Sequence, residues 1–215
     1  MNSASIFASS ALLVLASAAQ QATAGPINFD IDPFSGSTAL TTAGRQVYTG
    51  LERTLPSFSF SADTFVFNLG AFGNYGIGGS LSFLNSPASG IPGAGANVIV
   101  LQDVDNDANA TTPFAAGTAA NLIAARVNTD GAGFFIYHNS VLDVNRLVFS
   151  TNLNDATADL SVLARIASPS GLDAVYALPQ FGSGNFAAAV PEPSSLALLA
   201  AGLCSVGFFS RRRRA

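Results

Sequence analysis

Apolar side chains recur at every second position through much of this chain. Phe58 and Phe60, then Phe65, Phe67 and Leu69, keep that period, so two phenylalanine-bearing runs point their rings at one core. The pattern predicts strands at Asn28 to Ile31, Gln46 to Leu51, Ser57 to Phe60, Thr64 to Leu69, Ser80 to Leu84 and Asn97 to Leu101. It continues with Ile123 to Asn128, Gly133 to His138, Arg146 to Thr151 and Asp159 to Ile166. The separators carry turn chemistry: Asp32-Pro33, Gly70 to Gly79, Ser86 to Gly95, Asp103 to Thr112 and Thr129-Asp130-Gly131. Asp130-Gly131 is the strongest hairpin signal, because both residues tolerate positive φ, and it predicts pairing of Ile123–Asn128 with Gly133–His138. One helical turn is expected near Pro113 to Asn121. Short strands with frequent turn signals predict an all-β fold, a β-sandwich with the jelly roll as one form open to it. No repeat of fixed period is present, which argues against a solenoid.

Two stretches break the alternation. Ser5 to Ala19 reads SIFASSALLVLASAA and is followed by Ala22-Thr23-Ala24, whose small residues predict cleavage before Gly25. Residues 1–24 are therefore expected to be a signal-peptide helix, although its start carries no Lys or Arg beyond the amino terminus. The second stretch, Ser195 to Phe209, is SLALLAAGLCSVGFF and uncharged. As an α-helix it spans roughly 22 Å, somewhat short of the ~20 residues a bilayer core demands. Snorkelling by Arg211, Arg212, Arg213 and Arg214 closes the gap and keeps that end cytoplasmic, so residues 195–209 are expected to cross the membrane.

Just before that apolar stretch stand Val190, Pro191, Glu192 and Pro193. The two prolines hold the glutamate in an extended, unpaired segment suited to recognition. A Pro-Glu-Pro tripeptide, an apolar helix and an arginine block in this order closely resemble the PEP-CTERM sorting domain of Gram-negative bacteria. The resemblance covers residues 190–215. It implies processing by exosortase, a membrane-embedded cysteine protease-like transpeptidase, in bacteria that make exopolysaccharide or biofilm matrix. The stretch Arg146 to Asp155 also looks like segments of other PEP-CTERM proteins.

With both ends set aside, residues 25–189 form one expected exported domain. It has twelve acidic and five basic residues, a formal net charge of −7, and no lysine. Such a domain lacks the basic patch that nucleic acid requires. The single cysteine, Cys204, lies in the apolar tail, so the domain must be held by its core and not by disulfides.

Asp103, Asp105 and Asp107 sit at alternate positions after a predicted strand, with Thr111 beyond them. Hard cations such as calcium take clustered oxygen ligands, and this loop can supply them from one side. The match to an EF-hand loop is partial: Ala108 replaces the expected glycine and Phe114 the bidentate glutamate. The other reading is an acidic solvated loop whose side chains cap local turns. Asn152, Asn154, Asp155 and Asp159 form a second polar cluster, suited either to a tight connection or to binding sugar hydroxyls or metal. His138, the sole histidine, reads as a strand-end residue, since no G-x-S-x-G elbow gives it a nucleophile to serve. Zinc fails on ligand count. The glycine-rich stretches Asn68 to Ser80 and Ser89 to Asn97 read as long hairpin loops, because no βαβ frame is evident for a phosphate loop. No catalytic residue is expected.

Together these features predict an exported protein, held transiently in the inner membrane and then carried to the cell surface or beyond. A non-catalytic structural or adhesive role associated with exopolysaccharide leads. The alternatives are a secreted polysaccharide-acting hydrolase, which needs paired carboxylates, and a carbohydrate- or calcium-binding module.

Overall fold

The computed structural model describes residues 25–189 except Gly78, Ala108 and Ala110. The expected signal-peptide and membrane helices lie outside the described residues.

Among the described residues, ten strands form two sheets. The smaller contains β1 (Pro26–Phe29), β4 (Thr64–Asn68) and β10 (Phe186–Ala189) in the order β1-β4-β10, with every pair parallel. The larger contains β2 (Val47–Tyr48), β3 (Arg53–Leu55), β5 (Phe83–Ser86), β6 (Val98–Leu101), β7 (Gly133–Asn139), β8 (Val144–Ser150) and β9 (Leu160–Ser170). Its order is β2-β9-β8-β7-β6-β5, with β3 also paired to β9. The β7-β8 and β8-β9 pairs are antiparallel, and the others are parallel. The all-β expectation therefore agrees with the structure, while the parallel pairs depart from the antiparallel pattern of a jelly roll.

The two sheets share a core built largely of phenylalanine. Phe29, Phe65, Phe67 and Phe186 of the small sheet share one core with Val98, Val100, Phe134, Ile136, Leu147 and Phe149 of the large one. Phe67 stacks on Phe134 across that interface at a centroid distance of 3.8 Å. Phe72, from the short helix α1 (Leu69–Phe72), packs edge-on against Phe134 and Phe149 at 5.2 Å each. Aromatic pairs of this kind add about 0.5–1.5 kcal/mol each beyond simple burial.

On the opposite face of the large sheet lies α2 (Ala116–Ala124), which buries Ala116, Ala119, Ala120 and Ile123. These share a second core with Ile99, Leu101, Phe135, Tyr137, Val148, Leu160 and Val162. Strands β6, β7 and β8 are thus covered on both faces, and every residue in them is buried. The third helix, α3 (Leu172–Ala177), follows β9 and is tied to β8 by Asn145 Nδ2, which donates to the Ala174 carbonyl at 2.7 Å.

Several expectations are corrected. Ile123 and Ala124 end α2 and do not open a strand, because Ala116, Ala119/Ala120 and Ile123 form a stripe with helical period. The hairpin through Asp130-Gly131 is accordingly absent: β7 pairs in parallel with β6, and α2 lies in the crossover. This is a βαβ unit, a frame that is not evident in the sequence. Ser57 to Phe60 is irregular, and Phe58 instead stacks on Phe65 at 4.7 Å as a plug between sheet and loop. The single turn expected near Pro113 to Asn121 is α2, a helix of nine residues. The alternation predicts neither β3 nor β10.

Candidate functional site

In a parallel βαβ unit, ligands gather at the carboxyl ends of the strands. Here that place belongs to the segment joining β6 to α2, which carries Asp103, Asp105, Asp107 and Thr111. It borders an open groove of about 620 Å³ lined by the three aspartates with Thr112, Phe114 and Leu122.

Each carboxylate is engaged by the protein itself. Asp103 Oδ2 accepts a hydrogen bond from the Ala88 amide. Asp105 Oδ2 accepts from Ser140 Oγ at 2.7 Å and from the Phe114 amide at 3.3 Å, joining the ends of β6 and β7 to the start of α2. These bonds, the Ser140 hydroxyl foremost, hold the Asp105 carboxyl below its ordinary value. Asp107 accepts from the Asn109 amide at 2.8 Å and from Thr112 Oγ1 at 2.9 Å. The amide and hydroxyl of Thr111 both donate to Asn109 Oδ1, at 3.1 and 2.7 Å. The capping geometry of an acidic surface loop is therefore present. Among the described residues, no three His, Cys, Asp or Glu side chains converge as a metal set.

The second polar cluster builds a connection. Asn152 Nδ2 and Asn154 Nδ2 both donate to Asp130 Oδ1, at 3.0 and 3.2 Å, and they hold its carboxyl below the ordinary value. Asp155 accepts from the amide and hydroxyl of Thr157 at 2.7 Å each, and Asp159 Oδ1 accepts from the Gln46 amide at 2.8 Å. His138 is buried on β7, with Nε2 3.3 Å from Asp143 Oδ1.

Sequence reasoning gave no role to the Glu52–Arg146 pair or to one exposed apolar face. Arg146 on β8 donates through Nε and Nη2 to the two carboxylate oxygens of Glu52 at 2.9 and 2.7 Å. Burial alone would lower the guanidinium's pKa, yet Glu52 and Tyr137 hold it above its ordinary value. At the end of the molecule beyond β7, β8 and β9, Val141, Leu142, Leu172 and Tyr176 are exposed. The Gly171 amide bonds the Asp143 carbonyl at 2.9 Å, which joins the β7–β8 turn to the start of α3. Leu172 and Tyr176, four residues apart on α3, share one helix face. Nothing local in the sequence marks these residues as exposed, so only the structure reveals them.

Strand β10 ends at Ala189, and the all-β body runs directly into the Pro-Glu-Pro segment. Residues 189–214 match the family model for the PEP-CTERM protein-sorting motif. The chain thus carries a PEP-CTERM sorting motif, which implies export with processing by exosortase at the membrane. No curated protein and no solved structure matches the chain. Among the described residues no helix is long and apolar enough to cross a membrane. Val190 to Pro193, the basic end Arg211 to Arg214, and Ala22 and Ala24 lie outside the described residues, while Gly25 stands directly before β1.

Proposed function

We propose that this chain is an exported cell-surface or extracellular-matrix protein that exosortase releases from the inner membrane. Its sandwich-like body serves a non-catalytic structural or adhesive role in an exopolysaccharide matrix such as a biofilm. The observation that carries this reading is the sorting motif beginning at residue 189, where the last strand ends. Further support comes from the exposed Leu172 and Tyr176, which offer an apolar and aromatic face on which a sugar ring can stack. The formal charge of −7 on residues 25–189 favours a neutral glycan over a polyanionic one.

Two experiments test it. Changing Pro191, Glu192 and Pro193 to alanine should leave the protein membrane-bound and unprocessed in a strain with exosortase, and unaltered release would contradict the sorting assignment. The released product should bind neutral glycans on an array, and Tyr176→Ala should weaken that binding. A second reading, a calcium-binding module with Asp103, Asp105 and Asp107 as ligands and Thr111 a candidate, rests on the acidic groove at the end of β6 and requires those carboxylates to leave their present partners and converge. Calorimetry with millimolar calcium tests it, and absence of heat from folded protein removes it.

A further inference from the structure

The β6–α2 segment holds Asp107-Ala108-Asn109-Ala110-Thr111, and Asn-x-Thr is the acceptor tripeptide of N-linked glycosylation. No other Asn-x-Ser or Asn-x-Thr occurs between residues 25 and 189, although asparagine is frequent there. Asn109 and Thr111 are exposed and belong to no strand or helix, so a transferase can take up this stretch without breaking a sheet ladder.

The side chains are also arranged for the chemistry. The Thr111 hydroxyl and amide donate to Asn109 Oδ1 at 2.7 and 3.1 Å. Two donors on the carbonyl oxygen draw electron density from the amide and make its Nδ2 protons easier to lose. Two residues upstream, the exposed Asp107 carboxylate accepts from the Asn109 backbone amide at 2.8 Å and gives an enzyme an anionic handle beside the acceptor.

We propose that Asn109 is the attachment site of an N-linked oligosaccharide, transferred after export from a polyprenyl-diphosphate-linked donor. Nδ2 attacks the anomeric carbon of the first sugar and forms the C–N bond. The bond from that carbon to the diphosphate oxygen breaks, and its electron pair leaves with the polyprenyl diphosphate. One Nδ2 proton passes to a carboxylate base of the transferase, and no redox partner is needed. The product carries a glycan on the rim of the acidic groove, so part of its attachment to a polysaccharide matrix would be covalent. This inference rests on the export reading, because the transfer follows passage across the membrane.

The test is peptide mapping by mass spectrometry, with glycan-retaining fragmentation, of the full chain and its variants made in the producing bacterium. The Asn109 peptide should carry an oligosaccharide mass. Asn109→Gln and Thr111→Val should abolish it, Thr111→Ser should keep it, and Asp107→Ala should lower occupancy. Asp103→Asn and Asp105→Asn, outside the acceptor pentapeptide, should leave it unchanged. An exported, processed chain with bare Asn109 overturns the inference and leaves the export reading standing. A glycan that survives Asn109→Gln overturns it as well, by placing the sugar on a hydroxyl. A bare chain retained in the cytoplasm overturns both.

Discussion

Glu52 and Arg146 form a fork-to-fork ion pair whose side chains are only 14 and 11% exposed. Arg146 lies on β8, a central strand, whereas Glu52 comes from the link between β2 and β3, so the pair fastens an edge segment onto the sheet. Replacing Glu52 by glutamine leaves the guanidinium in place without its countercharge. Breaking a fully buried pair from one side costs about 3–5 kcal/mol. The remaining exposure, and the one hydrogen bond that glutamine can still accept, bring the expected loss to about 2–3 kcal/mol. In a domain of this size each kcal/mol lowers Tm by roughly 2–4 °C, so Glu52→Gln should melt about 4–12 °C earlier. The assay is urea and thermal unfolding of the released product, completed as a double-mutant cycle with Glu52→Leu and Arg146→Leu. The double variant should recover most of the loss, because an apolar pair leaves no stranded charge. If Glu52→Gln unfolds within about 0.5 kcal/mol of the parent, the ordinary range for surface changes, the pair does not hold the edge as argued.

Gly133→Ala should destabilise by about 1–3 kcal/mol, because a Cβ there would stand 2.6 Å from the Asn97 carbonyl oxygen, which is backbone and cannot turn aside. Urea unfolding checks it, and an unchanged midpoint would show that β6 and β7 can separate freely. The Asp105 carboxyl, held low chiefly by the Ser140 hydroxyl, stabilises the fold above its ordinary pKa and ceases to do so as the pH falls through its folded value. NMR titration of Ser140→Ala should move the Asp105 midpoint upward, and an unmoved midpoint would assign the shift elsewhere. Cleavage before Gly25 would turn its amide, 3.0 Å from the buried Asp63 Oδ1, into an α-ammonium. A chain starting at Gly25 should therefore exceed one retaining Ala24 by about 1 kcal/mol at pH 6. Equal stability at pH 6 would break the link between cleavage site and fold.

The strands that carry the core were legible because period-two phenylalanine is a local signal. Phe65 and Phe67 alternate with half-buried Val66 and Asn68, and β4 runs where they do. The failure at Ile123 to Asn128 has an equally local cause. Leu122, Ile123 and Val127 satisfy a strand pattern and a helix pattern at once, and the choice belongs to the sheet face that α2 covers. The unbroken apolar runs Val98 to Leu101 and Phe134 to Tyr137 were a signal for parallel strands buried on both faces, and they outweighed Asp130-Gly131. Strand β10, three alanines after Phe186, has almost no strand propensity. It exists because Phe186 fits beside Phe65 and Phe83.

At the candidate site, the sequence located the acidic loop but not the employment of its carboxylates. Which donor reaches Asp105 depends on Ser140, 35 positions away. The bond between Asp63 and Gly25 and the pair of Glu52 with Arg146 likewise join residues far apart in the chain.

The sequence by itself determined that this protein carries an export-sorting motif and what it is made of. The sorting motif, the acidic lysine-free composition and the all-β class are contiguous or averaged properties, readable without contacts. Tertiary structure alone decided the order and direction of the strands, the helix in the β6–β7 crossover, and the partners of each carboxylate. Those are set by burial and by hydrogen bonds between distant residues, whose energies appear only when the two sheets close on their shared phenylalanine core.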